Sequence, residues 1–152
     1  MKKYKLTEET KEYYGITLYR IEALKDFGTV KAGDKGGFIR SEDNLAHEGN
    51  AWVYGNAHVY GDARVGGNAR VGGNAHVDGN ADIMQIGPIG SRDDITTFFK
   101  NQENGISVRC GCFYGRLEEF EEAVQKTHGG TKYEKEYMAA IAAARAHIEG
   151  GE

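Results

Sequence analysis

One segment of the chain repeats every six residues, and this repeat restricts the folds that the chain can adopt. Between Gly49 and Met84 the sequence reads GNAWVY, GNAHVY, GDARVG, GNARVG, GNAHVD and GNADIM, six uninterrupted matches to Gly-(Asn/Asp)-Ala-x-(Val/Ile)-x. The period does not fit the 3.6 residues per turn of an α-helix. Self-similarity at a short fixed period is typical of solenoids, in which each coil stacks on its neighbour.

Each hexad predicts a short strand followed by a corner. The alanine and the branched residue lie two positions apart, so in a strand they share one face, which we expect to point inward. The Gly-Asn pair is predicted to turn the corner, because both residues tolerate a positive φ. The chain has 22 glycines but one proline, which indicates glycine used at fixed corners rather than in a disordered linker.

These hexads resemble those of the hexapeptide-repeat family of left-handed parallel β-helix proteins. The stretch from KYKLTEET to NAWVYGNA resembles the leading segment of bacterial and phage members that are named as acetyltransferases. The stretch from IGPIGSRDDITTFF to EEAVQKTHGG resembles a module found beside such repeats in phage and mobile-element proteins. The resemblance implies coils of three hexads, a left-handed path, a homotrimer about the helix axis and acyl transfer as one activity.

Coils of eighteen residues would place residues eighteen apart above one another, about 4.8 Å apart as in neighbouring strands. Trp52 is then expected over Arg70, where a cation–π contact is plausible. His58 is expected over His76, and two imidazoles so close disfavour double protonation. The histidine pair is either a surface ladder or part of a ligand-contact or catalytic face.

The predicted fold class is mainly β: a short left-handed parallel β-helix over residues 49–84, with an N-terminal β cap over 1–48 and a C-terminal ββαα module over 85–152. Within the cap, Tyr14–Leu24 is predicted as a strand. In the module we expect a loop at Gln85–Ser91, strands at Ile95–Lys100 and Ile106–Phe113, and helices at Leu117–His128 and Lys132–Ile148.

Charge and composition make several classes of protein less plausible. The formal net charge of −4, with acidic residues along the first predicted helix, disfavours nucleic-acid binding. No apolar run approaches the roughly 18 residues of a membrane span, and MKKYKLTEET does not read as a signal peptide. With two cysteines and no such signal, we expect the cytoplasm, which is the host cytoplasm if a phage encodes the chain.

The Cys110-Gly111-Cys112 segment does not predict a metal site. One residue separates the cysteines, whereas structural zinc pairs usually have two to four between them. We expect two small core thiols on a buried strand. A nucleophilic cysteine would need an activating partner, and the sequence does not identify a histidine for that role. No metal or cofactor is predicted.

Arginine guanidinium groups suit an anionic, planar ligand. We expect the aromatic residues Trp52, Tyr54 and Tyr60 to be exposed and suited to stacking on a base. We predict a non-catalytic binding protein that sequesters a small anionic, nucleotide-like ligand, such as a defence signal, at clefts between subunits of a homotrimer. The expected ligand-binding residues are Trp52, Tyr54, His58, Tyr60, Arg70, His76, Ser91, Arg92 and Arg109.

Two alternatives remain open. One is an acyltransferase that uses an acyl-CoA donor, with His58 or His76 as the general base. The uninterrupted repeat lacks the projecting loop that acyltransferases of the resembling family usually carry. The other alternative is a structural module, or one that blocks a host protein.

Overall fold

A computed structural model describes residues 2–111 and 113–149. The fold is mainly β with a C-terminal helix pair, and no helix in the described part is long and apolar enough to cross a bilayer. The elements are β1 (Tyr4–Tyr13), β2 (Ile16–Ala23), β3 (Lys35–Ile39), β4 (Trp52–Val53), β5 (His58–Val59), β6 (Arg70–Val71), β7 (His76–Val77), β8 (Ile83–Ile89), β9 (Asp94–Lys100), β10 (Ile106–Cys110), β11 (Phe113–Arg116), α1 (Leu117–His128) and α2 (Lys132–Ala144).

The repeat forms short parallel strands at the offset that the resemblance to three-hexad coils implies. β4 pairs with β6 so that Trp52 lies opposite Arg70, and β5 pairs with β7 so that His58 lies opposite His76. Both pairs are eighteen residues apart, which confirms the predicted stacking distance along the chain. The alanines of the first five hexads are at most 1% exposed, and the branched residues of all six are buried, so the predicted inward face is confirmed there.

The sixth hexad departs from the pattern. The glycines that open the first five hexads have φ between +62° and +73°, but Gly79 is extended at −162°. Asn80–Asp82 then form a 3₁₀ turn, and Ala81 is exposed instead of pointing inward. The reason is that Ile83 begins β8, a longer strand that belongs to the C-terminal sheet.

The N-terminal segment extends one face of the repeat. β1 pairs with β2, β2 pairs with β3, and β3 pairs in parallel with β5, which produces a five-stranded sheet in the order β1-β2-β3-β5-β7. Tyr4, Ile21 and Ile39 are buried in the same hydrophobic core as the repeat. The strand predicted over Tyr14–Leu24 is present as β2, whereas β1 was not predicted.

The C-terminal part contains four strands rather than the expected two. They form an antiparallel sheet in the order β11-β10-β9-β8. The prediction of a loop at Gln85–Ser91 is wrong, because most of that stretch belongs to β8 and pairs with β9. The two helices lie where they were predicted, with α2 ending at Ala144 before a π-helical turn over Arg145–Glu149.

Strand β9 joins the two hydrophobic cores. Phe99 is fully buried in the core of the repeat, while Phe98 is fully buried in the core that contains α1 and α2. The backbone N–H of Arg70 donates to Oγ1 of Thr97 at 3.1 Å, and an isolated bridge joins Ala75 to Asn101. The C-terminal sheet therefore packs against the last coil of the repeat.

Candidate ligand-binding site

A cleft of about 250 Å³ lies where the repeat meets the C-terminal sheet. Trp52 and Arg70 enter it from β4 and β6, and Arg109 enters it from β10. A loop that precedes β3 forms another wall. We call this site the arginine cleft; its lining includes Phe27, Thr29, Trp52, Arg70, Asp94, Thr97 and Arg109.

Both arginines of the cleft contact the ring of Tyr54. Nη1 of Arg109 donates a hydrogen bond to the Tyr54 hydroxyl at 2.9 Å, and its guanidinium lies 5.5 Å from the ring centre. The guanidinium of Arg70 lies 5.9 Å from the same ring. Nε of Arg109 also donates to the carbonyl of Gly111 at 3.1 Å. Four predicted ligand-binding residues, Trp52, Tyr54, Arg70 and Arg109, are thus brought together.

The two arginines of the cleft form no ion pair with the described residues, although the carboxylate of Asp94 also lines the cleft. Among the residues that the structure describes, no carboxylate lies within ion-pair distance of Arg70 or Arg109. Nη2 of Arg70 donates to Oγ1 of Thr29 at 3.3 Å, but its buried Nε has no hydrogen-bond partner. Burial and the nearby charge of Arg109 lower the pKa of Arg70, with Asp94 acting in the opposite sense.

Two aromatic residues of the predicted site are less accessible than expected. Trp52 is 3% exposed and packs edge-on against Phe27, with ring centres 5.3 Å apart. Tyr60 is 9% exposed. The expectation that these rings are exposed is wrong, because the N-terminal segment covers both faces of the repeat on which they lie. The cation of Arg70 accordingly lies near Tyr54 and not on Trp52.

A separate cluster holds the stacked histidines. The hydroxyl of Tyr13 lies 3.1 Å from Nδ1 of His76, and the hydroxyl of Tyr60 lies 2.5 Å from Nε2. In a neutral imidazole one nitrogen donates and the other accepts, so both positions of His76 are engaged. Tyr13 comes from the end of β1, and no sequence motif had connected it with His76.

His58 is enclosed in this cluster. It is 2% exposed, and neither of its ring nitrogens has a hydrogen-bond partner. Its ring packs near Tyr13 and Phe38, with centres 5.2 and 6.0 Å away. Burial, followed by the charges of Lys11 and His76, lowers the pKa of His58 to about 4. His58 is therefore neutral at pH 7.

The remaining predicted site residues lie elsewhere. Ser91 and Arg92 are exposed and line a second cavity on the helix side of the C-terminal sheet. The nine predicted residues are thus divided among three places.

Cys110 is a half-buried free thiol, and Cys112 lies outside the described residues. Within the described chain, no cluster of three or more histidine, cysteine or acidic side chains could hold a metal ion.

Comparison with known proteins gives a partial similarity. No family model matches the chain. The chain is similar to the protein described as "Uncharacterized acetyltransferase YdcK" of Escherichia coli (strain K12), with 40% identity over 62 residues. The match covers 36% of this chain and 19% of that protein, so it spans about a fifth of the relative's length. This similarity agrees with the resemblance to repeat proteins named as acetyltransferases.

Proposed function

We propose that the protein is a non-catalytic binding protein that holds a small anion in the arginine cleft. The observation that carries this proposal is the convergence of Arg70 and Arg109 on Tyr54 without a carboxylate partner. A half-buried guanidinium with an unpartnered Nε loses hydration that the described residues do not replace. An anion bound between the two guanidiniums would supply both the charge and the acceptor atoms.

The size of the cleft favours a small anionic group. Its volume of about 250 Å³ is below the roughly 300–1,000 Å³ of most drug-sized pockets. Trp52 is buried, and the ring of Tyr54 is already contacted by both arginines, so the support for stacking a base is weaker than the support for an anion. A phosphate or carboxylate is therefore the core of the proposal, and a nucleotide-like ligand is its more specific form.

The resemblance of the hexads supports further proposals about the assembly. We propose a left-handed β-helix and a homotrimer, with sequestration of a defence signal in the host cytoplasm if a phage encodes the chain. Native mass spectrometry tests the trimer, which should appear at three times the 16.7 kDa of the chain. A monomer would contradict the trimer but not the arginine cleft, because the described cleft lies within one chain.

Titration calorimetry with inorganic phosphate and with adenosine monophosphate tests the binding proposal. We expect Arg70→Gln and Arg109→Gln each to weaken binding about tenfold or more, as for a lost charge-assisted hydrogen bond. Arg64→Gln is the matched control, because Arg64 occupies the same position one hexad earlier and is exposed. Absence of binding at millimolar concentration, or equal affinity in all three variants, would contradict the proposal.

Acyl transfer is the second candidate, and the similarity to a protein named as an acetyltransferase favours it. The geometry supports it less, because a general base needs a nitrogen within reach of the substrate proton. His58 is enclosed, and both nitrogens of His76 contact tyrosine hydroxyls. Turnover of acetyl-CoA that is lost in His58→Ala or His76→Ala would support this candidate. Turnover unchanged in both would remove these histidines from the reaction.

A further inference from the structure

A second cavity of about 260 Å³ lies between α1, α2 and the end of β10. Successive residues of β10 separate it from the arginine cleft: Arg109 lines the cleft, and Cys110 lines this cavity on the other side of the sheet. We call it the apolar cavity, because carbon atoms dominate its walls. Its apolar lining includes Phe113, Phe120, Ala123, Val124 and Tyr137.

The Tyr137 hydroxyl in the apolar cavity is uncharged near neutral pH. Burial, together with the nearby Cys110, raises the pKa of Tyr137, so its hydroxyl stays protonated. The thiol of Cys110 is in contact with Oγ1 of Thr96 at 3.3 Å. An aromatic, mainly apolar interior of this kind suits the flat apolar part of a ligand.

The mouth of the cavity supplies a cation. Arg92 is exposed there and forms no ion pair or hydrogen bond with the described residues. His128 also lines the cavity and packs against the ring of Tyr137, with ring centres 5.8 Å apart. The mouth contains one carboxylate, Asp94, whose Oδ1 accepts a hydrogen bond from the N–H of Ile95 at 2.7 Å.

We propose that the apolar cavity is a second binding site, which takes a small aromatic carboxylate. The ring would pack among Phe113, Phe120 and Tyr137, and the carboxylate would bind the guanidinium of Arg92. An apolar cavity of about 150 Å³ binds benzene, so about 260 Å³ suits one or two fused rings. This inference goes beyond the anion proposal, since the ring would lie on the helix side of the sheet and the carboxylate would bind a different arginine, although Asp94 and Gly111 line both cavities.

Titration of the full chain with 2-naphthoate tests the position of the ring. Ala123→Leu adds bulk to a half-buried wall of the cavity and keeps a good helix former in α1. We expect it to weaken naphthoate binding at least tenfold. Ala139→Leu is the matched control, because Ala139 is exposed on α2. The affinity of this variant for naphthoate should equal that of the natural chain. Undiminished binding to Ala123→Leu, or no binding to the folded natural chain at millimolar concentration, would overturn the proposal.

The uncharged analogue 2-naphthalenemethanol tests the role of the cation. Arg92→Gln should weaken naphthoate binding about tenfold and leave the alcohol unaffected, while Arg64→Gln should alter neither. Equal affinity of the natural chain for the acid and the alcohol would overturn the assignment of the carboxylate to Arg92. Loss of naphthoate binding in Arg109→Gln but not in Ala123→Leu would place the ligand in the arginine cleft and overturn the second site.

Discussion

The ring of Tyr54 lies against Gly72, eighteen residues further along the chain, in the space that a Cβ atom on Gly72 would occupy. Gly72 is the last residue of its hexad, as Tyr54 is of the hexad eighteen residues earlier. The same tyrosine accepts a hydrogen bond from Arg109. Because Gly72 has no side chain, the Tyr54 ring can lie in this position, where its hydroxyl accepts the hydrogen bond from Arg109 of the C-terminal sheet.

Gly72→Ala should disturb this arrangement, because the new methyl group would overlap the Tyr54 ring. We expect a loss of about 1–3 kcal/mol in the free energy of unfolding, as for other overpacked sites, together with weaker phosphate binding. Gly66→Ala is the matched control: it has the same hexad position, but its nearest neighbour would be Cβ of Ala46 at 3.7 Å. Urea denaturation and phosphate titration measure both effects, and equal losses in the two variants would contradict the prediction.

His58 should make the protein less stable in mild acid. Its pKa is about 4 in the folded chain, below the ordinary value of 6.5, so the unfolded chain binds more protons between these pH values. The free energy of unfolding therefore falls as the pH drops through this window, by about 2 kcal/mol between pH 7 and pH 5. His58→Phe should remove this part of the pH dependence. His147→Gln, at an exposed position, should retain it.

Tyr13→Phe should destabilise the contact between β1 and the repeat. The variant removes the hydroxyl that lies 3.1 Å from Nδ1 of His76 and leaves the ring in place. We expect a loss of about 1 kcal/mol in the free energy of unfolding, typical of one hydrogen bond. Tyr14→Phe is the control, because Tyr14 is 90% exposed and should tolerate the change. Equal unfolding midpoints for the two variants would be incompatible with a stabilising Tyr13–His76 contact.

Phe99→Ala should be among the costlier substitutions in the chain. Phe99 is fully buried and joins β9 to the core of the repeat, so its removal leaves a cavity between the two parts. We expect a loss of about 3–5 kcal/mol in the free energy of unfolding. Leu24→Ala provides the comparison, because Leu24 is 44% exposed. This variant should lose far less free energy of unfolding. A small loss for Phe99→Ala in thermal or urea unfolding would show that the sheet does not stabilise the last coil.

The sequence was informative wherever a local period determines the structure. The hexads predicted the burial of alanine and valine, because it follows from a strand that recurs every six residues. The resemblance to three-hexad coils implied the pairing of His58 with His76. The stripe of apolar residues likewise located α1. The pattern was less informative at β8, where glycine and proline within QIGPIGS suggested a loop although the segment pairs with β9.

The candidate site depended on contacts that no local pattern encodes. Thr29, Arg70 and Arg109 are far apart in the chain and meet because the N-terminal segment and the C-terminal sheet both pack against the repeat. The burial of Trp52 and the engagement of His76 depend in the same way on the N-terminal segment. Sequence reasoning could identify arginines and aromatic residues as suitable chemistry, but not which of them would share a cleft.

The sequence by itself determined the six-residue period and the inward face of the repeat, because strand alternation and glycine corners are local properties. The stacking at eighteen residues followed from the resemblance to proteins with three hexads in each coil. Only the tertiary structure decided which outward side chains are covered and which are brought together. Trp52 and His58 are covered because the N-terminal segment packs against the repeat. Arg70 and Arg109 share a cleft because the C-terminal sheet also packs against it. Such packing depends on the complementarity of whole surfaces, which a short repeated motif does not specify.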